Sequence, residues 1–266
     1  MDLGLSGKVA IVTGGSEGIG FASARSLARE GARVAIAARR PDVLEAAAAR
    51  IRAEAEGAGG EVLAVPTDVR DEAQVRALVQ RVVEQWGTVD ILVNNAGTSA
   101  ATKFEDVDDE TWDGDLGLKL YGAIYCARAV VPLMRAAGGG RIINVTTPGG
   151  KAPGAGSLPT SLARAAGLAL TKAMSKDYAA DGILVNSVCI GLIKSGQHER
   201  RYEAQQERNP SQTLDEFYAR MGERVPLGRV GEAEEAGDLI CFLASGRASY
   251  ITGTAVNVDG GTSPVL

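Results

Sequence analysis

Short runs of β-branched and aliphatic residues alternate with longer helical stretches along the whole chain, and no other feature restricts the fold as strongly. The runs at 8–14 ("KVAIVTG"), 33–39 ("RVAIAAR"), 61–68 ("EVLAVPTD"), 89–97 ("VDILVNNAG", with its exit loop), 140–147 ("GRIINVTT"), 182–190 ("GILVNSVCI") and 253–261 ("GTAVNVDGG") read as strands. The intervening stretches 18–31, 41–57, 71–86, 109–137, 158–180 and 232–245 read as helices. Gly31 stops the first helix, and Pro41 opens the second in its first turn. Strands alternating with helices of this length predict an α/β fold, a doubly wound parallel sheet in a single domain. Residues 195–230 break the rhythm. They are charged and poor in strand formers, which suits a lid over a site.

The 266 residues are 45% hydrophobic but only 5% aromatic. The core must therefore be built from Ala, Val, Leu and Ile, as suits helices packed closely on a parallel sheet. Net charge is 28 − 33 = −5, with no basic stripe, so no nucleic-acid partner is expected. Cys126, Cys189 and Cys241 form no CxxC pair. That argues against a disulfide framework or a metal site and for a reducing, cytoplasmic setting. The N-terminal stretch lacks a signal-peptide pattern, and no apolar run is expected to approach the roughly 18 residues that span a bilayer. A membrane role is not expected.

"TGGSEGIG" (13–20) joins the first strand to the first helix. Glycines there let the chain turn tightly and let backbone N–H groups approach a pyrophosphate, with the helix N-terminus aimed at the same charge. Gly14, Ser16, Gly18, Ile19 and Gly20 are the expected cofactor contacts of a Rossmann-type nucleotide site. At the end of the second strand stand Ala38, Arg39 and Arg40, with no carboxylate. A guanidinium suits the 2′-phosphate of NADP(H) where an acid would suit the ribose of NAD(H). NADP(H) is therefore preferred, with Arg39 as the ligand and Arg40 as surface. Glu17 weighs the other way.

The TGxxxGxG spacing, Asp68, "NNAG" at 94–97 and "YITGTAVNVDGG" at 250–261 together resemble the short-chain dehydrogenase/reductase family over residues 7 to 262. The resemblance implies reversible hydride transfer between a nicotinamide and a carbonyl or alcohol. It implies that Asp68 and Val69 line the adenine pocket and that Asn94 meets the ribose, while Asn95 reads as a structural brace. Ser195 takes the place of a common Thr beside the cofactor.

The resemblance also locates four catalytic positions, and all four are changed. A Ser is usual where this chain has Thr147, a Tyr where it has Thr160, a Lys where it has Arg164, and an Asn where it has Lys119. Thr147 keeps a hydroxyl and Arg164 a charge that could hold the ribose. Thr160 is the severe change, because its hydroxyl is shorter and far less acidic than a phenol. A lysine at 119 close to Arg164 would have its pKa depressed by like charge and could act as acid or base. In a second reading Lys119 turns outward or pairs with Asp115, four residues earlier. Tyr121 and Tyr125 lie off the face of Lys119 and read as core or interface. His198, Arg200 and Arg201 read as solvated.

The leading expectation is an oxidoreductase acting on a small-molecule carbonyl or alcohol with a non-standard catalytic set. The rivals are a redox-inactive nucleotide sensor or partner subunit, and a lyase or isomerase reusing the pocket. Helices 109–137 and 158–180 are expected to form a homodimer or homotetramer interface.

Overall fold

A computed structural model describes residues 2–206 and 211–266. Its centre is one seven-stranded parallel sheet in the order β3-β2-β1-β4-β5-β6-β7. The strands are β1 (Val9–Thr13), β2 (Arg33–Ala38), β3 (Val62–Pro66), β4 (Ile91–Asn94), β5 (Gly140–Thr146), β6 (Ile183–Ile190) and β7 (Ala255–Val258). All five residues of β1 are buried. A strand covered on both faces needs an unbroken apolar run instead of alternation, and "VAIVT" supplies one.

Helices cover both faces. On one side α1 (Gly18–Arg29), α2 (Pro41–Glu54) and α9 (Ala233–Ala244) pack Leu27, Leu44, Ile51 and Ile240 onto Val12, Ile36 and Val93. On the other, α3 (Glu72–Trp86), α5 (Gly122–Ala136) and α6 (Thr160–Asp177) bring Leu78, Val82, Val130, Met134 and Met174 to Ile11, Leu92 and Ile142. Local chemistry sets the ends. Asp71 caps α3 by accepting from the Ala73 and Gln74 amides, and Gly87 closes it in the left-handed region at φ 85°.

The long helix expected over 109–137 is interrupted. It runs as α4 (Asp109–Leu116), a π-helical turn (Gly117–Tyr121) and then α5. Among the described residues, Asp109–Ala136 is the one helix long and apolar enough to cross a membrane. This corrects the expectation that no such stretch exists. Here its inner side, Cys126, Val130 and Met134, is part of the core.

Within 195–230 the chain forms α7 (Gly196–Gln206) and α8 (Leu214–Gly222). These carry their own apolar cluster of Phe217, Tyr218 and Val230, with Tyr202 and Met221 against it. Residues 207–210 of that segment lie outside the described residues. The strand order reverses direction between β1 and β4, and in such sheets ligands bind at the carboxyl ends of the strands beside this switch point.

Candidate functional site

A cleft of about 550 Å³ lies at those strand ends. Gly14, Ser16, Gly18 and Ile19 line it, Gly18 with φ +55°. Glu17, at the N-cap of α1, makes no side-chain cap, so the first-turn amides of the helix remain open to an anion from the cleft. Gly20 is placed differently from the expectation. It does not line the cleft; a Cβ there would lie 2.2 Å from the Gly14 carbonyl oxygen and 2.5 Å from Asn95 Nδ2. Its smallness serves the packing behind the turn.

Arg39, Asp68, Val69 and Ser195 all line the cleft. Among the described residues Arg39 has neither a hydrogen bond nor a salt bridge, although its charge acts on Asp68. Four bonds from three donors of Arg70, its backbone amide, Nε and Nη2, reach the Asp68 carboxylate. The Arg70 side-chain bonds are the main reason it is held below the usual aspartate range. Arg40 is on the cleft wall as well, but it is paired, with Nη2 2.6 Å from Glu17 Oε1. Glu17 also accepts from Arg200 at 3.2 Å. Partial burial opposes its ionisation, yet these two guanidiniums hold its carboxyl below the ordinary glutamate range. Glu17 is thus neutralised in place, which removes its objection to a phosphate.

Two expectations are corrected in this region. Asn94 does not meet the cleft: its Nδ2 donates to Asn144 Oδ1 at 2.9 Å, inside a buried polar network that continues to Thr171 and Ser187. The neighbouring Asn95 is the brace that was expected, donating to the Thr13 and Gly14 carbonyls at 3.0 and 3.2 Å. His198, Arg200 and Arg201 line the cleft; Arg200 and Arg201 are exposed there, as expected, while His198 is half-buried. Burial depresses the His198 pKa. α7 lies close over the glycine turn: Gln197 Oε1 accepts from the Ser99 amide at 3.1 Å on one wall, and Arg200 reaches Glu17 on the other. The lone-histidine signal could not show this, because the contacts that hold α7 over the cleft come from Ser99 and Glu17, far from residue 198 in sequence.

At the opposite end of the cleft, Thr147, Thr160 and Arg164 line the wall with Ser99. Arg164 Nη1 donates to the Val145 carbonyl at 2.6 Å, and Nη2 occupies the space beside Gly97, 2.8 Å from where a Cβ would be. Desolvation brings its pKa down to about 10. Lys119 is not on the cleft wall. It lines a separate cavity of about 20 Å³ behind, together with Thr13, Asn94, Asn144 and Arg164. Its residue exposure is 7%. From there Nζ donates to Asp115 Oδ1 and, at 3.0 Å, to Thr160 Oγ1.

The pairing of Lys119 with Asp115 is the one the second sequence reading expected, and the same ammonium also reaches Thr160. Its pKa is lowered to about 8, chiefly by burial; Asp115 opposes that shift, and Arg164, the expected cause, contributes least. Thr160 Oγ1 accepts a second bond, from the Ala100 amide at 3.0 Å. Sequence reasoning missed Ala100, since a backbone donor leaves no signature in residue type. Tyr121 and Tyr125 pair with each other at 6.1 Å between ring centroids, outside both cavities.

An open phosphate cradle and an unpaired guanidinium at one end, with a cluster of proton-bearing side chains at the other, fit a nicotinamide nucleotide and a small reacting partner. The family model described as enoyl-(acyl carrier protein) reductase matches residues 14–263, and the chain belongs to the short-chain dehydrogenase/reductase family. It is an NAD(P)-dependent oxidoreductase of carbonyl or alcohol substrates. It is 35% identical over 260 residues to the oxidoreductase UcpA of Escherichia coli K12, covering 97% of this chain and 95% of that one.

Among solved structures it is similar to the L-sorbose reductase of Gluconobacter frateurii complexed with NADPH and L-sorbose (TM-score 0.94, 35% identity, all of both chains). It is also similar to an NADPH-bound short-chain oxidoreductase of Pseudomonas aeruginosa PAO1 containing an atypical catalytic centre (TM-score 0.90, 36% identity, 99% of each chain).

Proposed function

We propose that the protein is an NADP(H)-dependent reductase of small carbonyl compounds in which Lys119 and Thr160 together replace a phenolic acid. The observation that carries this reading is the bonding of Thr160 Oγ1. It accepts from Lys119 Nζ and from the Ala100 amide, both at 3.0 Å. A hydroxyl has two lone pairs and one proton. With both lone pairs engaged by donors, the O–H is polarised and is the one group left to donate. Its nearest acceptor in the protein is Asp115 Oδ1 at 3.5 Å, a weak contact that a carbonyl oxygen in the cleft would displace.

Bound nicotinamide supplies the hydride that forms the new C–H bond. The chain supplies the proton. Thr160 donates its hydroxyl proton to the carbonyl oxygen and takes one from the Lys119 ammonium, which is left as a neutral amine and recharged from solvent. Thr147, on the same wall, hydrogen-bonds the reacting oxygen and orients it. Arg164 serves the nicotinamide ribose. Gly14, Ser16, Gly18, Ile19 and Ser195 receive the phosphates, Asp68 and Val69 the adenine, and Arg39 the 2′-phosphate.

NADPH in the two similar complexes supports the nucleotide preference, as do the unpaired Arg39 and the neutralised Glu17. α7, within residues 195–230, acts as a lid over the cleft. Exposed Tyr121 and Leu162, on α4–α5 and α6, support a homodimer or homotetramer built on those helices, and the buried free thiols support a cytoplasmic setting.

The test is NADPH oxidation over a panel of ketones, diketones and ketoses across pH. Reduction requires the ammonium, so kcat should fall as pH rises through about 8, while alcohol oxidation should rise over the same interval. Lys119→Met should lower kcat by about 10²–10⁴, the worth of a positioned acid. Unchanged turnover in that variant overturns the proposal.

A further inference from the structure

The reading above makes Lys119 the store of the proton but does not explain how a lysine stays charged so far from water. Its side chain is 1% exposed and that of Asp115 is 3% exposed. A lone ammonium at that depth would give up its proton. A second cation, Arg164, acts on it from α6 and pushes the same way. The charged groups acting on Lys119 are these two, Asp115 on its own helix and Arg164. The β3–α3 connection contributes Val69, and the β4 exit contributes Asn94 and Ala96, none of which ionises.

Asp115 is itself expensive to bury. Oδ1 receives Lys119 Nζ and lies 3.5 Å from the Thr160 hydroxyl, while Oδ2 has no hydrogen-bond partner although it is fully enclosed. A buried carboxylate with a bare oxygen costs free energy. For structure alone, an apolar pair in place of Asp115 and Lys119 would serve as well. The pair sits one turn apart, immediately before and within the π-helical turn Gly117–Tyr121. This is the kind of irregularity often found at functional sites.

We propose that Asp115 is a positioning residue: its buried carboxylate keeps the Lys119 ammonium protonated between turnovers and aims it at Thr160. This rests on the proposed role of Lys119. The carboxylate touches neither the cleft nor any residue that meets the phosphates. It acts on the reaction through the lysine and through the Thr160 hydroxyl 3.5 Å away, and its charge offsets one of the two buried cations. During turnover, as Lys119 gives its proton to Thr160, the negative charge left behind on Asp115 favours rapid recharging of the amine.

The experiment follows the lysine directly. Protein labelled with ¹³C at lysine Cε is titrated by NMR, with the Lys119 signal assigned by its loss in Lys119→Met. Replacing a facing opposite charge by a neutral amide should lower the Lys119 midpoint by roughly 1–3 pH units. In Asp115→Asn the midpoint should therefore fall well below about 8. The high-pH limb of carbonyl reduction should fall with it, and the NADPH dissociation constant should stay within about twofold, since Asp115 meets no cofactor-side residue.

Asp115→Glu, which keeps the charge but displaces it by one methylene, should titrate between the parent and the amide variant. If Asp115→Asn does not fold, the glutamate variant decides alone. A Lys119 midpoint coincident with the parent in every folded variant overturns the inference. That outcome is separate from failure of the functional reading, which would appear as full turnover in Lys119→Met whatever its neighbour does.

Discussion

At the β1–β2 end of the cleft a ligand meets main chain with its phosphates, the open amides of Gly18 and Ile19 and the turn from Gly14, flanked by charged side chains such as Arg39. At the β4–β5 end it meets side chains, Thr147, Thr160 and Arg164, backed by Lys119 and Asp115. The two ends differ in what change they tolerate. A main-chain cradle depends on backbone shape and on the absence of side-chain bulk, so it survives wide substitution provided the glycines remain. A proton-transfer cluster depends on which functional groups face one another. It can be replaced as a set, because a new donor is useful only when its partners supply the charge and the aim. In this chain the turn that forms the cradle keeps its glycines, and the far end presents Thr147, Thr160 and Arg164 with Lys119 behind them.

The contrast can be broken by mutations that should divide into rate effects and binding effects. The largest effect is expected at the side-chain end. Thr160→Val keeps the shape but removes the hydroxyl, and kcat should fall by about 10²–10⁴ with NADPH affinity unchanged, measured by turnover and by nucleotide fluorescence titration. An equal loss of affinity would show that the two ends are one unit.

At the nucleotide end Arg39→Ala should do the reverse. Loss of a charge-assisted contact should raise the NADPH dissociation constant about tenfold or more while NADH binding and kcat stay near the parent values. Equal effects on the two nucleotides would place the 2′-phosphate elsewhere. The smallest effect is expected where α7 meets the glycine turn. The Arg200–Glu17 bridge is exposed on both sides (59% and 39%), so Arg200→Ala should change the NADPH dissociation constant by less than about fivefold. A larger loss would mean that α7 contributes to nucleotide capture beyond this bridge.

Most strand and helix positions could be read from the residue pattern because their causes are local. An unbroken apolar run makes β1, Pro41 opens α2, and Asp71 and Gly87 bound α3. The break in the long helix could not be read. A single π-helical turn is a matter of which carbonyl each amide reaches, and no residue type marks it, so Gly117–Tyr121 looks like ordinary helix in sequence. Asn94 and Asn95 are adjacent and identical in type. Whether each faces the cleft or the sheet interior is decided by residues 50 and 82 positions away, Asn144 and Thr13. His198, Arg200 and Arg201 carry the pattern of a solvated helix face, yet they reach the cleft because α7 is laid across Glu17 and Ser99.

The amino-acid order alone determined the parallel α/β architecture and the glycine turn between β1 and α1, because each follows from period or spacing. Only the tertiary structure decided which polar groups meet at the far end of the cleft. Lys119, Asp115, Thr160 and the Ala100 amide come from three separate stretches of chain, and a proton moves between groups according to distance and burial, which sequence separation does not encode.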